Sequence, residues 1–426
     1  MVAPIITTLG DLSTDEIKRF SRHLILPDVG LEGQRKLKNA SVLIIGTGGL
    51  GSPTALYLAA AGIGRIGLVD YDVVEISNLQ RQIIHGQSTL GMSKLDSAEL
   101  RIKDINPHVQ VDKYNVPLFS DNALEIFAPY DVIIDGTDNF PTRYLVNDAC
   151  VKLGKPNVYG SIFRFEGQLS VFWADEGPCY RCMFPSPPPP GLVPNCAEGG
   201  VLGVLPGTIG MLQATEAIKL LLGIGDPMIG RMLLYDALEV SFTNIRIRKN
   251  PNCPVCSIPH EQVELIDYEQ FCGMPAHDHS EFGKLADVAA GVTGGSNGNG
   301  ANGHGKGEIT VVELKQRWDA GEDLLVLDVR NANEFDISAL DDTLRISKPD
   351  IEAARDALLA GRKPREATVL AQIPDDREII VMCRSGKRSA DVIEALRGLG
   401  YENPMLNLTG GILAWAKEID PEMATY

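Results

Sequence analysis

The stretch from Val42 to Ser52, Val-Leu-Ile-Ile-Gly-Thr-Gly-Gly-Leu-Gly-Ser, limits what this chain can fold into more than any other. Val42 to Ile45 are all branched and predict a strand buried on both faces. The glycines that follow let the backbone turn tightly and approach a phosphate. Ser52 reads as the N-cap of the next helix and Pro53 as its first helical residue, with Gly62 stopping an Ala- and Leu-rich body over Ala55 to Ala61. The start of that helix would face the anion.

Ile66 to Asp70 reads as the second strand of a βαβ unit. Gly46, Gly48 and Gly51 satisfy G-x-G-x-x-G, and Asp70 stands where an acid would hold ribose hydroxyls. A phosphate cradle and a ribose hook suit NAD and ATP alike, so neighbouring residues must decide. Between Tyr71 and Ala98 the chain carries Asp72, Asn78, Gln80, Arg81, Gln82 and Lys94. Arg81 and Lys94 suit a triphosphate whose charge must be neutralised during transfer, whereas hydride transfer has little use for them. Asp131 to Phe140 predicts a further parallel strand that breaks at Gly136. Asp138 then lies at its carboxyl end, placed to hold Mg²⁺, while Asp135 reads as structural.

With 426 residues, 44% of them hydrophobic, the chain has room for two or three domains and a sizeable core. A formal net charge of −17 argues against a nucleic-acid partner. No basic residue precedes the short apolar run at the N-terminus, so no signal peptide is read. The apolar stretch from Gly199 to Thr215 contains Pro206 and falls short of the roughly 20 residues a membrane helix needs. A cytoplasmic protein with no membrane partner is expected.

Cys179-Tyr-Arg-Cys182 and Cys253-Pro-Val-Cys256 form two C-x-x-C pairs. Brought together, their four thiolates would make a closed Zn²⁺ site pinning a C-terminal segment to the domain body; two separate redox pairs are the competing reading. Pro185 to Gly191 must be an exposed, stiff loop. Cys196, just beyond it, is read as an accessible thiol able to exchange with another sulfur, and Cys150 as a small buried hydrophobe. Thr14 to Leu26 reads as a helix capped by Ser13 or Thr14, and Thr208 to Leu222 as a core helix closed by Gly223.

From Gly291 to Gly307 the composition falls to Gly, Asn, Ser and His, the core of a flexible linker assigned to 273–307 between domains at 1–272 and 308–426. By random-coil scaling the stretch from Gly291 to Gly307 reaches roughly 20–25 Å, holding a tethered domain at about millimolar effective concentration. The second domain is read as a helix over Val312 to Ala320, a strand over Leu324 to Arg330, a strand over Glu378 to Cys383 and a helix over Ala390 to Leu399. Cys383 would then sit in a strand–loop–helix cradle. Backbone N–H groups, the helix N-terminus, Arg384, Lys387 and Arg388 there favour a thiolate or a persulfide.

Residues from about 10 to 257 resemble the MoeB/ThiF family of ubiquitin-activating-enzyme-like adenylyltransferases. The residues that carry the resemblance are Gly46-Thr-Gly-Gly-Leu-Gly51, Asp70, Asn78-Leu-Gln-Arg-Gln82, Lys94, Asp138 within Thr-Asp-Asn, and both C-x-x-C pairs. Residues 308 to 426 resemble a rhodanese through Leu327-Asp-Val-Arg330, the Cys383 loop and Gly410-Gly-Ile-Leu-Ala-Trp415. The resemblance implies an α/β fold: a Rossmann-like, mostly parallel sheet with a zinc-stapled C-terminal part, plus a separate α/β rhodanese domain.

It also implies that ATP·Mg²⁺ adenylates the C-terminal glycine of a small ubiquitin-like sulfur carrier protein ending in Gly-Gly. A persulfide on Cys383, loaded by a cysteine desulfurase or by thiosulfate, then supplies the sulfur for a carrier thiocarboxylate. By that analogy Gly46, Gly48, Gly49 and Gly51 cradle the nucleotide with Asn78 and Gln82. Asp70 holds the ribose, Arg81 and Lys94 the phosphates, and Asp138 the metal. Arg22 matches an arginine that the family inserts into the neighbouring subunit's ATP site, implying a homodimer. Cys196 matches a cysteine on the family's mobile crossover loop, and the four paired cysteines match its structural zinc site. One departure stands out: Glu334-Phe-Asp-Ile-Ser-Ala-Leu-Asp-Asp342 lacks the histidine and the Pro-Gly-Ala turn that usually follow the Asp-Val-Arg strand. Two rival classes remain. An NAD-dependent oxidoreductase explains the glycines and Asp70 but not Arg81, Lys94, the paired cysteines or the Cys383 loop. A non-catalytic persulfide or carrier scaffold predicts a defective ATP site.

Overall fold

The computed structural model describes residues 3–189, 200–276 and 307–425. They fall into two compact units, divided between 293 and 294.

The first unit is built on an eight-stranded sheet: β1 (Ser41–Ile45), β2 (Arg65–Val69), β3 (Gln110–Tyr114), β4 (Val132–Asp135), β5 (Asn157–Phe163), β6 (Glu166–Phe172), β7 (Arg231–Asp236) and β8 (Ser241–Arg246), in the order β3-β2-β1-β4-β5-β6-β7-β8. The first five strands in that order run parallel, and the remaining pairings are antiparallel. Val42 and Ile44 enter one hydrophobic core while Leu43 and Ile45 enter the other, so β1 is buried on both faces as its branched residues predict. Each such side chain contributes about 1.5–3 kcal/mol by leaving water.

Several helix boundaries differ from the sequence reading. The helix after β1 spans Gly51–Ala61, two residues earlier than a Ser52 cap allows; Leu50 takes the cap position, and Ser52 is buried with its hydroxyl donating to the Thr47 carbonyl at 3.2 Å. Gly62 does end it, at φ 90°. The region 14–26 is two short helices, Thr14–Arg19 and Ser21–Leu24, broken at Phe20, which is buried in the core. Ser13 caps the first through a capping box with Glu16. The core helix begins a turn earlier than Thr208, spanning Val204–Leu222, because Pro206 in a first turn sacrifices no intrahelical hydrogen bond. Gly223 closes it at φ 68°. Cys150 is buried in the Phe140–Leu153 helix as expected, and burial pushes its thiol pKa up. Structure described for this unit continues past Cys272 to Ala276, whose N–H donates to Glu269.

The second unit is a five-stranded, all-parallel sheet of β9 (Glu308–Ile309), β10 (Leu325–Asp328), β11 (Thr343–Arg345), β12 (Ile379–Met382) and β13 (Met405–Leu408), ordered β11-β10-β12-β13-β9. Its first helix is Val311–Asp319, and the helix after β12 is Lys387–Gly398, three residues ahead of the expected start. Among the described residues no helix is long and apolar enough to cross a membrane.

Candidate functional site

The sheet order reverses between β1 and β4, and the carboxyl ends of these two strands therefore flank a crevice, the place where open α/β sheets bind ligands. Gly46 and Gly136 line it. A Cβ on Gly46 (φ 87°) would lie 3.2 Å from the Gly136 carbonyl, and one on Gly51 only 1.9 Å from the Gly46 carbonyl. No side chain fits at Gly51, so the helix N-terminus closes onto the loop. The Arg81–Gln82 segment lies against the same loop: Gly48 faces Gln82, while Gly49 faces Arg81 and Pro206.

The polar and charged residues are held by neighbours within the protein. Asp70 accepts from the Thr47 N–H at 2.8 Å and hydroxyl at 2.7 Å, which fixes the loop to the end of β2. Lys94, almost wholly buried, pairs with Asp72 at 2.7 Å. Arg81 donates to the Ser77 carbonyl at 3.0 Å, and Asn78 closes its own turn by accepting from the Glu75 N–H. Asp138 stands exposed in the loop after β4. Asp135, by contrast, is fully buried, accepts from the Thr137 N–H and hydroxyl, and lies 4.0 Å from the Arg143 guanidinium; burial pushes its pKa up. It is structural, as the sequence implied. Arg22 is exposed on its short helix, and Cys196 lies outside the described residues.

His85 has no counterpart in the sequence reading. It is buried behind the loop with Nδ1 2.9 Å from the Ser97 hydroxyl, while Nε2 has no hydrogen-bond partner among the described residues. Burial, aided by the Lys94 charge, pushes its pKa down to about 4, so the ring is neutral. Its place three residues past Gln82 was the only available signal.

The four paired cysteines meet. Cys179 caps the short helix Tyr180–Met183 after β6 and Cys182 lies within it, while Cys253 and Cys256 follow β8; all four sulfurs fall within 4.8 Å of one another. Sγ separations of 3.5 Å (Cys179–Cys253), 3.4 Å (Cys182–Cys256) and 4.0 Å (Cys179–Cys182) bracket the roughly 3.8 Å edge of a tetrahedron with zinc–sulfur bonds of about 2.3 Å. The donor set fits Zn²⁺. None of the seven described cysteines is in a disulfide. Between the first two, Arg181 forms a buried pair with Asp148 at 2.7 Å and packs 4.5 Å over the Phe271 ring, tying the turn to the Phe140–Leu153 helix.

In the second unit Cys383 follows β12 directly and is buried. Its sulfur accepts from the Gly386 N–H at 3.1 Å, and the Ser389 hydroxyl lies 3.4 Å away. Gly386 takes φ 95° at the start of the helix, so Lys387 and Arg388 belong to its first turn rather than to the loop. Arg388 is engaged bidentately by Glu334 at 2.6 Å for each contact. Thus the segment that lacks the usual histidine and Pro-Gly-Ala turn supplies a carboxylate that braces the cysteine loop. Below it, Arg330 and Asp328 form a wholly buried pair at 2.6 Å. Gly411 supports the loop from the other side: its Cβ would sit 2.3 Å from the Cys383 carbonyl.

Two catalytic-type corners thus stand on one chain, and comparison with known proteins accounts for both. The ThiF family model matches residues 20–255. This chain belongs to the ThiF family. A rhodanese-like domain matches residues 310–418. The chain is 47% identical to the Mycobacterium tuberculosis protein named "Probable adenylyltransferase/sulfurtransferase MoeZ", over 99% of this chain and 98% of that one. It is 44% identical to "Adenylyltransferase and sulfurtransferase MOCS3" of Drosophila yakuba, over 97% and 86%. As a ThiF-family member with an appended rhodanese domain, it is an adenylyltransferase and sulfurtransferase. The crystal structure of E. coli MccB with MccA-N7isoASN shares the fold at a TM-score of 0.52 and 22% identity, covering 58% of this chain and 76% of that one.

Proposed function

We propose that this ThiF-family enzyme adenylates the C-terminal glycine of a small ubiquitin-like carrier protein with ATP and then converts the acyl-adenylate to a thiocarboxylate with sulfur held on Cys383. The observation that carries this reading is the pairing of a phosphate-type glycine loop at the sheet's reversal point with a buried cysteine in a helix-start cradle.

In the first half-reaction a terminal carboxylate oxygen of the carrier attacks the α-phosphate and pyrophosphate leaves. The glycine loop admits the phosphates, Asp70 and Asn78 orient the sugar, and Gln82 faces the loop. Arg81 and Lys94 exchange Ser77 and Asp72 for phosphate oxygens, offsetting the charge that develops. Asp138 is the residue to hold Mg²⁺, which when bound neutralises the phosphates. Arg22, exposed, reaches the corresponding site of a second subunit in a homodimer.

In the second half-reaction the outer sulfur of a Cys383 persulfide attacks the acyl carbon and displaces AMP, giving an acyl disulfide. The Cys196 thiolate then attacks the Cys383 sulfur. The carrier leaves as a thiocarboxylate, a Cys196–Cys383 disulfide forms, and a thiol reductant restores both cysteines. The persulfide is supplied by thiosulfate or by a cysteine desulfurase. Zn²⁺ on Cys179, Cys182, Cys253 and Cys256 is structural and takes no part in transfer.

Intact mass spectrometry of a Gly-Gly-ended carrier incubated with the enzyme, ATP, Mg²⁺ and thiosulfate tests the whole sequence. Replacement of one oxygen by sulfur is the expected product. An AMP adduct that gains no sulfur from thiosulfate or from a cysteine desulfurase with cysteine would refute the role of Cys383, and an unchanged mass with every carrier tried would refute the adenylation reading.

A further inference from the structure

Beside Cys383 a single proton has three claimants. The Ser389 hydroxyl, fully buried, lies 3.4 Å from the Cys383 sulfur, 2.9 Å from the Gly386 carbonyl and 2.6 Å from Oδ1 of Asn407. A hydroxyl donates once and accepts twice. The shortest of the three contacts is to Asn407, near the end of β13, whose backbone is fixed by pairing with Val381 and by its N–H donating to the Gly307 carbonyl at 2.9 Å. Only the side-chain amide is left to vary, and its two ends have the same shape and opposite hydrogen-bonding character.

With the amide oxygen toward Ser389, Asn407 takes the proton and the sulfur meets the lone pairs of the hydroxyl. With the NH₂ toward Ser389, Asn407 donates and the Ser389 proton is left to the Gly386 carbonyl or the sulfur; a charged sulfur draws it, adding to the Gly386 N–H. A neutral thiol tolerates the first arrangement; a thiolate or persulfide anion selects the second, because hydrogen bonds to a charged acceptor are worth about twice those between neutral groups. We propose that Asn407 is a positioning residue that acts through Ser389, turning its amide so that the anionic Cys383 sulfur receives a second hydrogen bond. The proposal deepens the reading of Cys383 as the sulfur-carrying residue and rests on it.

The test is peptide-resolved alkylation of Cys383 by iodoacetamide in the full-length protein at fixed pH, alongside sulfur transfer from thiosulfate to cyanide. Asn407→Asp offers only acceptors and must hold the Ser389 proton, so alkylation and transfer fall about tenfold, the scale of one charge-assisted hydrogen bond. Asn407→Ala frees the proton from Asn407 and leaves only the neutral Gly386 carbonyl to compete with the anionic sulfur, so it costs less than about threefold. Ser389→Ala costs about tenfold, and on that background Asn407→Asp costs nothing more, since its effect runs through the hydroxyl. Equal losses for Asp and Ala, or an undiminished Asp effect in the double variant, overturn the proposal by assigning Asn407 a packing or a direct charge role. If Asn407→Asp does not fold, Ser389→Ala still decides: unchanged alkylation overturns the relay. Failure of the underlying reading looks different, with Cys383→Ala retaining sulfur transfer while the alkylation pattern stands.

Discussion

The corner after β1 and the corner after β12 are both strand–loop–helix turns at the carboxyl edge of a parallel sheet, each set by a glycine with positive φ, 87° at Gly46 and 95° at Gly386. They differ in what the loop encloses. The first packs its own backbone together and leaves a crevice bordered by side chains drawn from β2, β4 and the 72–94 segment. The second closes on a sulfur atom of its own loop, with backbone N–H and a hydroxyl already in contact. Where the reacting atoms arrive on a ligand, selectivity rests on side chains gathered from distant elements. A reactive atom built into the chain needs little more than the backbone.

The largest expected effect separates the corners outright. Asp138→Ala should lower carrier-dependent pyrophosphate exchange by about a thousandfold or more and leave thiosulfate-to-cyanide transfer intact, whereas Cys383→Ala should do the reverse. Loss of both activities in either variant breaks the comparison. Next in size is the acid response of the first corner. An ordinary imidazole protonates near pH 6.5, and folded His85 does so only near 4. Between those values the unfolded state binds more protons, so stability of the first unit falls as pH drops from 6.5 toward 4, by up to about 3 kcal/mol. Urea melts of wild type and His85→Gln at pH 7 and pH 5 should show a steep fall in the former and a shallow one in the latter.

Glu334→Gln sharpens the contrast from the other side. It removes the charge that braces Arg388, a partly exposed pair, and should cost the second unit about 1–2 kcal/mol in a urea melt without altering pyrophosphate exchange. Smallest are the two capping boxes. Ser13→Ala should shift only the melting of the first unit and Thr310→Ala only that of the second, each by about 1 kcal/mol in calorimetry. A shared shift would mean that the units unfold as one.

The sequence reading succeeded where cause and effect lie close along the chain. Val42 to Ile45 as a strand, Gly62 and Gly223 as helix stops, the break at Gly136 and the cradle after β12 all depend on a few adjacent residues. It failed where a boundary depends on packing, as at the split at Phe20 and at Ser52, displaced from the cap by a loop that folds back on Gly46, and at Val204, where Pro206 was read as a break although a first turn accommodates it. Site residues divide the same way. The four cysteines were legible because their spacing is a ligand pattern. His85, Asn407 and the Glu334–Arg388 brace were not, since each partnership joins elements that only the folded sheet brings together and none has a spacing signature.

The cysteine cluster also imposes an order of events during synthesis. Cys179 and Cys253 are 74 residues apart, with the strand pair β7 and β8 between them. At bacterial or eukaryotic elongation rates of about 5–20 residues per second, the first C-x-x-C pair leaves the ribosome roughly 4–15 s before the second. For that interval two thiols of a nascent chain have no complete metal site. Once residue 256 has emerged the site can close, while the second unit is still being translated. The clasp therefore allows the amino-terminal unit to mature first, so the carboxyl-terminal unit forms its sheet after the other is already finished.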